Sequence, residues 1–339
     1  MKEYLPQINT FLKENKKLVI ATVVKTWGSA PRQVGACMIV SDDGDILGSV
    51  SGGCVEGVVL KKAAEVFTDG KSQYLKFNVS DNTAWSVGLS CGGALDVFVE
   101  MFLAHSSPDI WRELQISFEN NKRVAIYASL AEKQPPIKFL RTVEGKIIGN
   151  NPDVVMEKYL DSASTPAKTQ TFELENQLYL TQVFPKKSKL IIIGSTHITV
   201  DLVAFAHDFD FETIVIDPRG VFTEKINYPV RPSQMITDWP AEILPPYDLD
   251  ESAFGILLTH DPKIDDQAMH IFLNFDMAYI GALGSKKSHE KRVQRLKEAG
   301  FSEDLIRKIH APIGLDIHAR TAKEISLSIM AELIKIRNE

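Results

Sequence analysis

Cysteine is scarce in this chain of 339 residues: there are three, Cys37, Cys54 and Cys91, and no two form a CxxC pair. An odd number without paired spacing supports neither a disulfide framework nor a structural zinc site, so whatever these residues do they do as thiols. Long apolar runs are missing as well. None approaches the roughly 18 residues of a membrane span, and the opening MKEYLPQINTFLKENKK reads as a polar amphipathic helix rather than an export signal. A cytoplasmic protein with no membrane partner is the expectation. Nor is basic charge in surplus: 38 Lys and Arg stand against 44 Asp and Glu, a net charge of -6, which gives no global attraction to nucleic acid or an anionic lipid surface. No HExxH pattern and no serine, histidine and acid order of a hydrolase is evident, and no internal repeat or low-complexity tract stands out.

What is present suits two domains, each long enough to bury an interior. In the first half, LVIATVVKTWG reads as a buried strand because β-branched residues dominate it, and ACMIV and DILGSV flank the turn SDDG like the arms of a hairpin. VEGVVLKKAAEVF carries apolar residues at helical spacing and stops before Asp69-Gly70. LKFNV and LDVFVEMFL are further strands, so the opening hundred residues mix α and β. Between 105 and 186, RVAIYASL, KFLRTV, KIIG and LYLTQVF alternate like strands and belong to the first domain, 1–186. After FPKKSK the pattern changes. KLIIIG, HITVDLVAFAHDF, ETIVID, GILLTH, DDQAMHIFLNF and AYIGALG alternate strand with helix, which predicts a doubly wound parallel sheet over 187–339, closed by a long amphipathic helix in TAKEISLSIMAELIKIRN.

Two loops in the first half put a thiol among glycines: GSVSGGCVEG around Cys54 and GLSCGGAL around Cys91. Cys54 stands where a loop becomes a helix. A thiolate there gains about 0.5 to 2 kcal/mol from the helix start, lowering its pKa by roughly 0.4 to 1.5 from about 8.5, while Glu56 opposes this by charge. Gly52 and Gly53, with Gly92 and Gly93 in the second loop, leave backbone N–H groups uncovered for a flat or anionic ligand. The alternative is a small apolar residue beside a turn. Cys37, inside an apolar strand, reads as core. TWGSAPRQVG adds Arg32, either an oxyanion contact or a loop salt bridge.

In the second half, KLIIIG and its helix have the form of a dinucleotide fold, with Asp217 at the end of the next strand where an acid meets a ribose. The glycine fingerprint fails after Gly194, because Ser195, Thr196 and His197 follow and Thr199 stands where a third glycine is expected. Thr196 hinders close approach of a pyrophosphate. His197 either faces the crevice or is a helix-end residue. In GALGSKKSHEKRV, Ser285 and Lys286 open a basic helix, which suits an anion or is a solvated face with Ser285 as N-cap. A NAD(P)-dependent oxidoreductase is the alternative function that these features support.

Together these stretches resemble the XdhC/CoxI family, accessory proteins of xanthine dehydrogenase and related molybdenum hydroxylases. The resemblance rests on ATVVKTWGSAPRQVGACMIV, GSVSGGCVEG and SCGGALDVFVE in the first domain, and on KLIIIG, LLTHD, YIGALGSKK and APIGLDIHARTAKEISLSIMAEL in the second. It implies a protein without catalytic turnover of its own that binds and shields the molybdenum cofactor, molybdopterin. It also implies help with cofactor sulfuration by a cysteine desulfurase and delivery to xanthine dehydrogenase in purine catabolism, or a stable place within that enzyme's assembly. Cys54 and Cys91 match the family's glycine-flanked cysteines and would contact the molybdenum end, since a soft thiolate suits it. Arg32, Ser285 and Lys286 would be phosphate contacts, and Gly194, His197 and Asp217 the turn of the second domain. Two departures stand out: the turn reads Gly194-Ser195-Thr196-His197 where the family commonly reads GAGH, and His318 stands where glycine is common. A two-fold homodimer is the default assembly.

Overall fold

The computed structural model describes residues 1–28, 30, 32–53, 55–77, 93–132, 136–162, 166, 168–220, 227–244, 247 and 249–339. The chain forms two compact units, Met1–Lys186 and Lys187–Glu339.

The first unit holds two antiparallel sheets. In one, β1 (Leu18–Trp27), β2 (Cys37–Ser41), β3 (Ile46–Gly48), β4 (Gln73–Phe77) and β5 (Ala94–Met101) lie in the order β3-β2-β1-β5-β4. Helix α1 (Leu5–Lys13) precedes β1, and α2 (Glu56–Asp69) joins β3 to β4. Every residue of β1 from Leu18 to Val24 is buried, because both faces of this central strand are covered. Val19, Ala21 and Val23 pack with Val59, Ala63 and Val66 of α2, while Leu18 and Ile20 pack with Val124 and Ile126 of the other sheet. That is why the strand reads as a continuous apolar run.

The second sheet repeats the first. Its strands β6 (Val124–Ser129), β7 (Lys138–Thr142), β8 (Ile147–Gly149), β9 (Gln170–Leu174) and β10 (Gln177–Phe184) lie in the order β8-β7-β6-β10-β9. Helix α3 (Pro108–Glu119) precedes β6 and α4 (Val154–Ser162) joins β8 to β9. Details recur with the topology. The Lys16 N–H donates to the Phe11 carbonyl across a left-handed Asn15, and the Lys122 N–H to Ser117 across a left-handed Asn121. Gly48 and Gly149 both have positive φ, and a Cβ on either would collide with the carbonyl oxygen that opens the neighbouring strand, of Cys37 or Lys138. The Gln115 side chain donates to Asn9, a residue 106 positions away that is its counterpart in the first half, as expected across an approximate two-fold axis. This duplication corrects the expectation of no internal repeat. What survives is backbone conformation and patterning, as in ENKKLVIA against NNKRVAIY, with few identities for the eye to find.

Lys138 and Glu100 pair across the two sheets at 2.6 Å, with Lys138 almost wholly buried. No other hydrogen-bond partner meets these two atoms among the described residues.

The second unit is a parallel sheet: β11 (Lys189–Ile193), β12 (Glu212–Ile216), β13 (Gln234–Ile236), β14 (Ala253–Leu257), β15 (Tyr279–Ala282) and β16 (Ile309–His310), ordered β13-β12-β11-β14-β15-β16. This is the doubly wound arrangement expected, with the reversal of strand order between β11 and β14. Helices α5 (His197–Asp208) and α8 (Ala322–Asn338) supply the core on one face through Leu202, Val203, Ile329 and Leu333. Helices α6 (Pro262–Phe272) and α7 (Lys286–Glu298) cover the other through Ile264, Met269, Phe272 and Leu296. Side-chain caps start these helices: Thr196 for α5, Asp261 for α6, Ser285 for α7, as its sequence suggests, and Thr321 for α8.

Candidate functional site

In the first sheet the register pairs Trp27 with Ala94, Phe77 with Leu95, Thr22 with Cys37 and Met38 with Gly48. The end of β1, the start of β2, the ends of β3 and β4 and the start of β5 therefore share one end of the sheet. Three connections leave from it: 28–36, with Arg32; 49–55, with Gly52, Gly53 and Cys54; and 78–93, with Cys91, Gly92 and Gly93. Cys54, Cys91 and Gly92 lie outside the described residues; Gly93 is buried just before β5. Arg32 is partly buried, and its Nε has no hydrogen-bond partner among the described residues. At the same end of the second sheet, the counterpart connections line a cavity of about 320 Å³ with Ser129, Ile137, Asp153, Glu175 and Gln177.

The 49–55 loop does not hold its N–H groups open. Glu56, at the start of α2, folds back into it. Its Oε1 accepts from the N–H groups of Val50 (3.2 Å), Ser51 (2.9 Å) and Gly52 (3.1 Å), and its Oε2 from those of Gly53 (2.9 Å) and Val55 (3.1 Å). The hydroxyls of Ser49 (2.7 Å) and Ser51 (2.5 Å) donate as well. Burial pushes this carboxyl upward, but the hydrogen bonds from Ser51, Ser49 and the backbone outweigh it and hold its pKa at about 2. The glycines at 52 and 53, both at positive φ, serve this wrapping. For Gly52 and Gly53 the expectation of uncovered N–H groups is corrected: the chain's own carboxylate covers them. The signal in the sequence is an acid two residues beyond the cysteine of a glycine loop, which a helix-start reading absorbs too easily.

At the carboxyl edge of the parallel sheet, the turn after β11 is closed by its own side chains. The Ser195 N–H donates to Asp217 Oδ2 (2.8 Å), the Thr196 N–H to Thr199 Oγ1 (3.1 Å), and Thr199 Oγ1 to the Gly194 carbonyl (2.6 Å). Gly194 is required here, since a Cβ would lie 2.8 Å from Thr259 Cγ2 at the end of β14. Asp217 is fully buried, and Arg219 grips it through Nε (2.9 Å) and Nη2 (2.7 Å). Burial opposes ionisation of Asp217, yet Arg219 and the Ser195 N–H together lower its pKa. In this arrangement the carboxylate meets Arg219 rather than open space for a ribose. His197 is exposed in the first turn of α5.

Beyond β14 and β15 the edge is more open. His260 takes a left-handed conformation at φ 61°, strain that is uncommon outside turns and sites. Ser285 caps α7 by accepting from the Ser288 N–H at 3.2 Å, and Lys286 is exposed beside it. About two turns along α7, Arg292 is buried. It donates to the Leu283 carbonyl (3.2 Å) and lies 3.8 Å from Asp265, while its Nε and Nη1 have no partner among the described residues. Asp265 accepts from Thr259 Oγ1 at 2.6 Å, but burial raises its pKa nonetheless. Arg219 is the residue the motif reading passes over, while Glu56 and Arg292 enter it only as charges near a helix start, without the contacts they make here. Among the described residues no group of three or more His, Cys, Asp and Glu is placed to hold a metal ion, and no helix is long and apolar enough to cross a membrane.

Comparisons with known proteins agree with this architecture. Residues 190–333 match the XdhC Rossmann domain and residues 11–78 match the XdhC and CoxI family, the latter covering the half of the first unit that holds Cys54. A Bacillus subtilis protein, named as a probable subunit of xanthine dehydrogenase, is 25% identical over 339 residues, covering 99% of this chain and 98% of that one. The Escherichia coli molybdenum cofactor insertion chaperone PaoD is 25% identical over 328 residues, covering 96% of this chain and 85% of that one. A crystal structure of a xanthine dehydrogenase from Bacillus halodurans superposes with a TM-score of 0.78 at 26% identity, covering 98% of this chain and 95% of that one. The chain belongs to the XdhC and CoxI family.

Proposed function

We propose that this protein binds the molybdenum cofactor as cargo, shields it, and inserts it into xanthine dehydrogenase or a related molybdenum hydroxylase, with a cysteine desulfurase acting on the cofactor while it is held. The observation that carries this reading is topological: the connections bearing Cys54, Cys91 and Arg32 all leave one end of one sheet. A thiol pair there offers soft ligands to the metal end of the cargo. The name of the PaoD relative supports the same role. Glu56 occupies the N–H groups of Val50, Ser51, Gly52 and Gly53, so these are not the anion receptor in this reading. In the second unit, taken by itself, Ser285 and Lys286 at the start of α7 are the proposed phosphate contacts, with Arg292, whose Nε and Nη1 have no partner among the described residues, further along the same helix.

In this role the residues bind, orient and release rather than turn over a substrate. The direct test is to purify the protein anaerobically from cells that make molybdopterin and assay molybdenum and pterin in the wild type and in Cys54→Ala. Loading lost in the variant supports the reading, and equal, near-zero loading in both overturns it. A second reading, a stable non-catalytic subunit, draws on the name of the Bacillus subtilis relative. Co-purification with the hydroxylase in fixed stoichiometry through salt washes would favour it.

A further inference from the structure

The second copy of the fold presents the same sheet end as the cysteine-bearing copy, with different side chains. There the end of β6, the start of β7, the ends of β8 and β9 and the start of β10 surround the cavity of about 320 Å³. That volume lies within the range of small-molecule pockets. Its charged lining is Asp153 and Glu175, and no basic side chain lines it among the described residues. Asp153 accepts from the Met156 N–H at 2.8 Å through Oδ1 alone, and neither carboxylate has an ion-pair partner among the described residues. Glu175 reaches this end through an unusual turn. Where the first copy has residues 78–93 between β4 and β5, the second has only Glu175 and Asn176 between β9 and β10, both left-handed at φ 46° and 64°. Two-residue hairpin turns of this kind favour Asn or Gly, so the turn itself does not call for a glutamate.

Tyr179 of β10 is the second feature. It is 8% exposed, and its ring is fixed in the core with Phe139 and Met156, stacked on Phe172 at a centroid distance of 5.5 Å. The residue lines the cavity, yet its hydroxyl has no hydrogen-bond partner among the described residues. A buried phenol ordinarily finds one. Burial and the nearby charges of Asp153 and Glu175 all raise its pKa, so it stays neutral and its oxygen is free to accept.

We propose that this cavity is a second binding site, for a small organic cation: a primary ammonium held by Asp153, Glu175 and the Tyr179 hydroxyl, with its apolar body against Ile137, Val155 and Leu174. An ammonium donates three hydrogen bonds, and two carboxylates and one phenol oxygen supply three acceptors. A bare hard divalent ion suits the site less well, since it asks for six or more oxygens and gains nothing from the apolar lining. The carboxylates also repel a phosphate-bearing cargo, so this site and the cargo site proposed at the cysteine end stand or fall separately.

The test titrates the full chain at pH 7 with two probes of nearly equal shape, phenethylamine and phenethyl alcohol, followed by ligand-observed NMR. Phenethylamine is expected to saturate with a Kd of about 1 mM or lower, while phenethyl alcohol should not saturate up to about 10 mM. Glu175→Gln should weaken the amine by about 3- to 5-fold, Tyr179→Phe by about threefold, and Asp153→Asn with Glu175→Gln by about tenfold or more. Asn retains the helix cap at 153 and Phe retains the ring stacking, so each variant should unfold near the wild-type temperature. Equal binding of amine and alcohol by the wild type overturns the proposal, and so does a wild type that phenethylamine fails to saturate up to about 10 mM. Amine binding unchanged in the folded double variant overturns it as well.

Discussion

Glu56→Gln removes a charge while keeping nearly the same volume, and leaves only one oxygen to accept what two now accept. A carboxyl drawn from an ordinary 4.5 to about 2 gives an upper bound of about 3 kcal/mol for the preference of the folded loop for the ionised form. The group is partly exposed, so solvent screening brings this to about 2 kcal/mol. That corresponds to a roughly 30-fold larger open population of the loop in the variant at pH 7. Hydrogen exchange of the Val50 to Gly53 amides, read by mass spectrometry and corrected for intrinsic rates, measures it locally. Because the folded pKa lies below the unfolded one, the contribution is fully present above about pH 4.5 and fades as pH falls towards 2. The protection difference between wild type and variant should shrink over that window. Equal protection at pH 7, or a difference that persists unchanged at pH 2, would refute the caged carboxylate.

Other perturbations have clear directions. Lys138→Met strands Glu100, which is partly exposed but has its Oε2 buried, and should lower stability by about 3 kcal/mol in chemical denaturation, whereas adding Glu100→Leu should recover most of the loss. Gly149→Ala places a Cβ against the Lys138 carbonyl and Ile110 at positive φ, so a loss of about 1 to 3 kcal/mol is expected, with Gly145→Ala, which meets no neighbour, losing less. Asp217→Asn leaves Arg219 without its counter-charge and should cost the second unit about 1 to 3 kcal/mol at pH 7. Since the Asp217 pKa is lowered, that difference from the wild type should vanish as pH falls below the ordinary carboxylate range. Thermal unfolding followed across pH checks it.

Much of the fold was legible because its signals are local. The β2–β3 hairpin, the helix 56–69, the alternation beyond residue 187 and the N-cap at Ser285 each follow from patterning or turn chemistry within a few residues. The duplication was not, because it is retained in conformation: Asn15 and Asn121 do the same work as left-handed helix ends while most side chains around them differ. At the candidate site, sequence singled out the glycines but not what they enclose. Whether a loop's N–H groups face a ligand or the chain's own carboxylate depends on a side-chain path, Glu56 turning back over 49–55, that spacing alone does not fix. The same holds at Asp217, whose position in the chain suggests a ribose contact and whose partner in space is Arg219.

The central claim, that the cysteine end of the first sheet holds the molybdenum cofactor, is tested most directly by the metal and pterin content of protein purified anaerobically from cells that make molybdopterin. Wild-type protein carrying both, with Cys54→Ala carrying neither while remaining folded, is the predicted result. Equal content in the two, at any level, would contradict it.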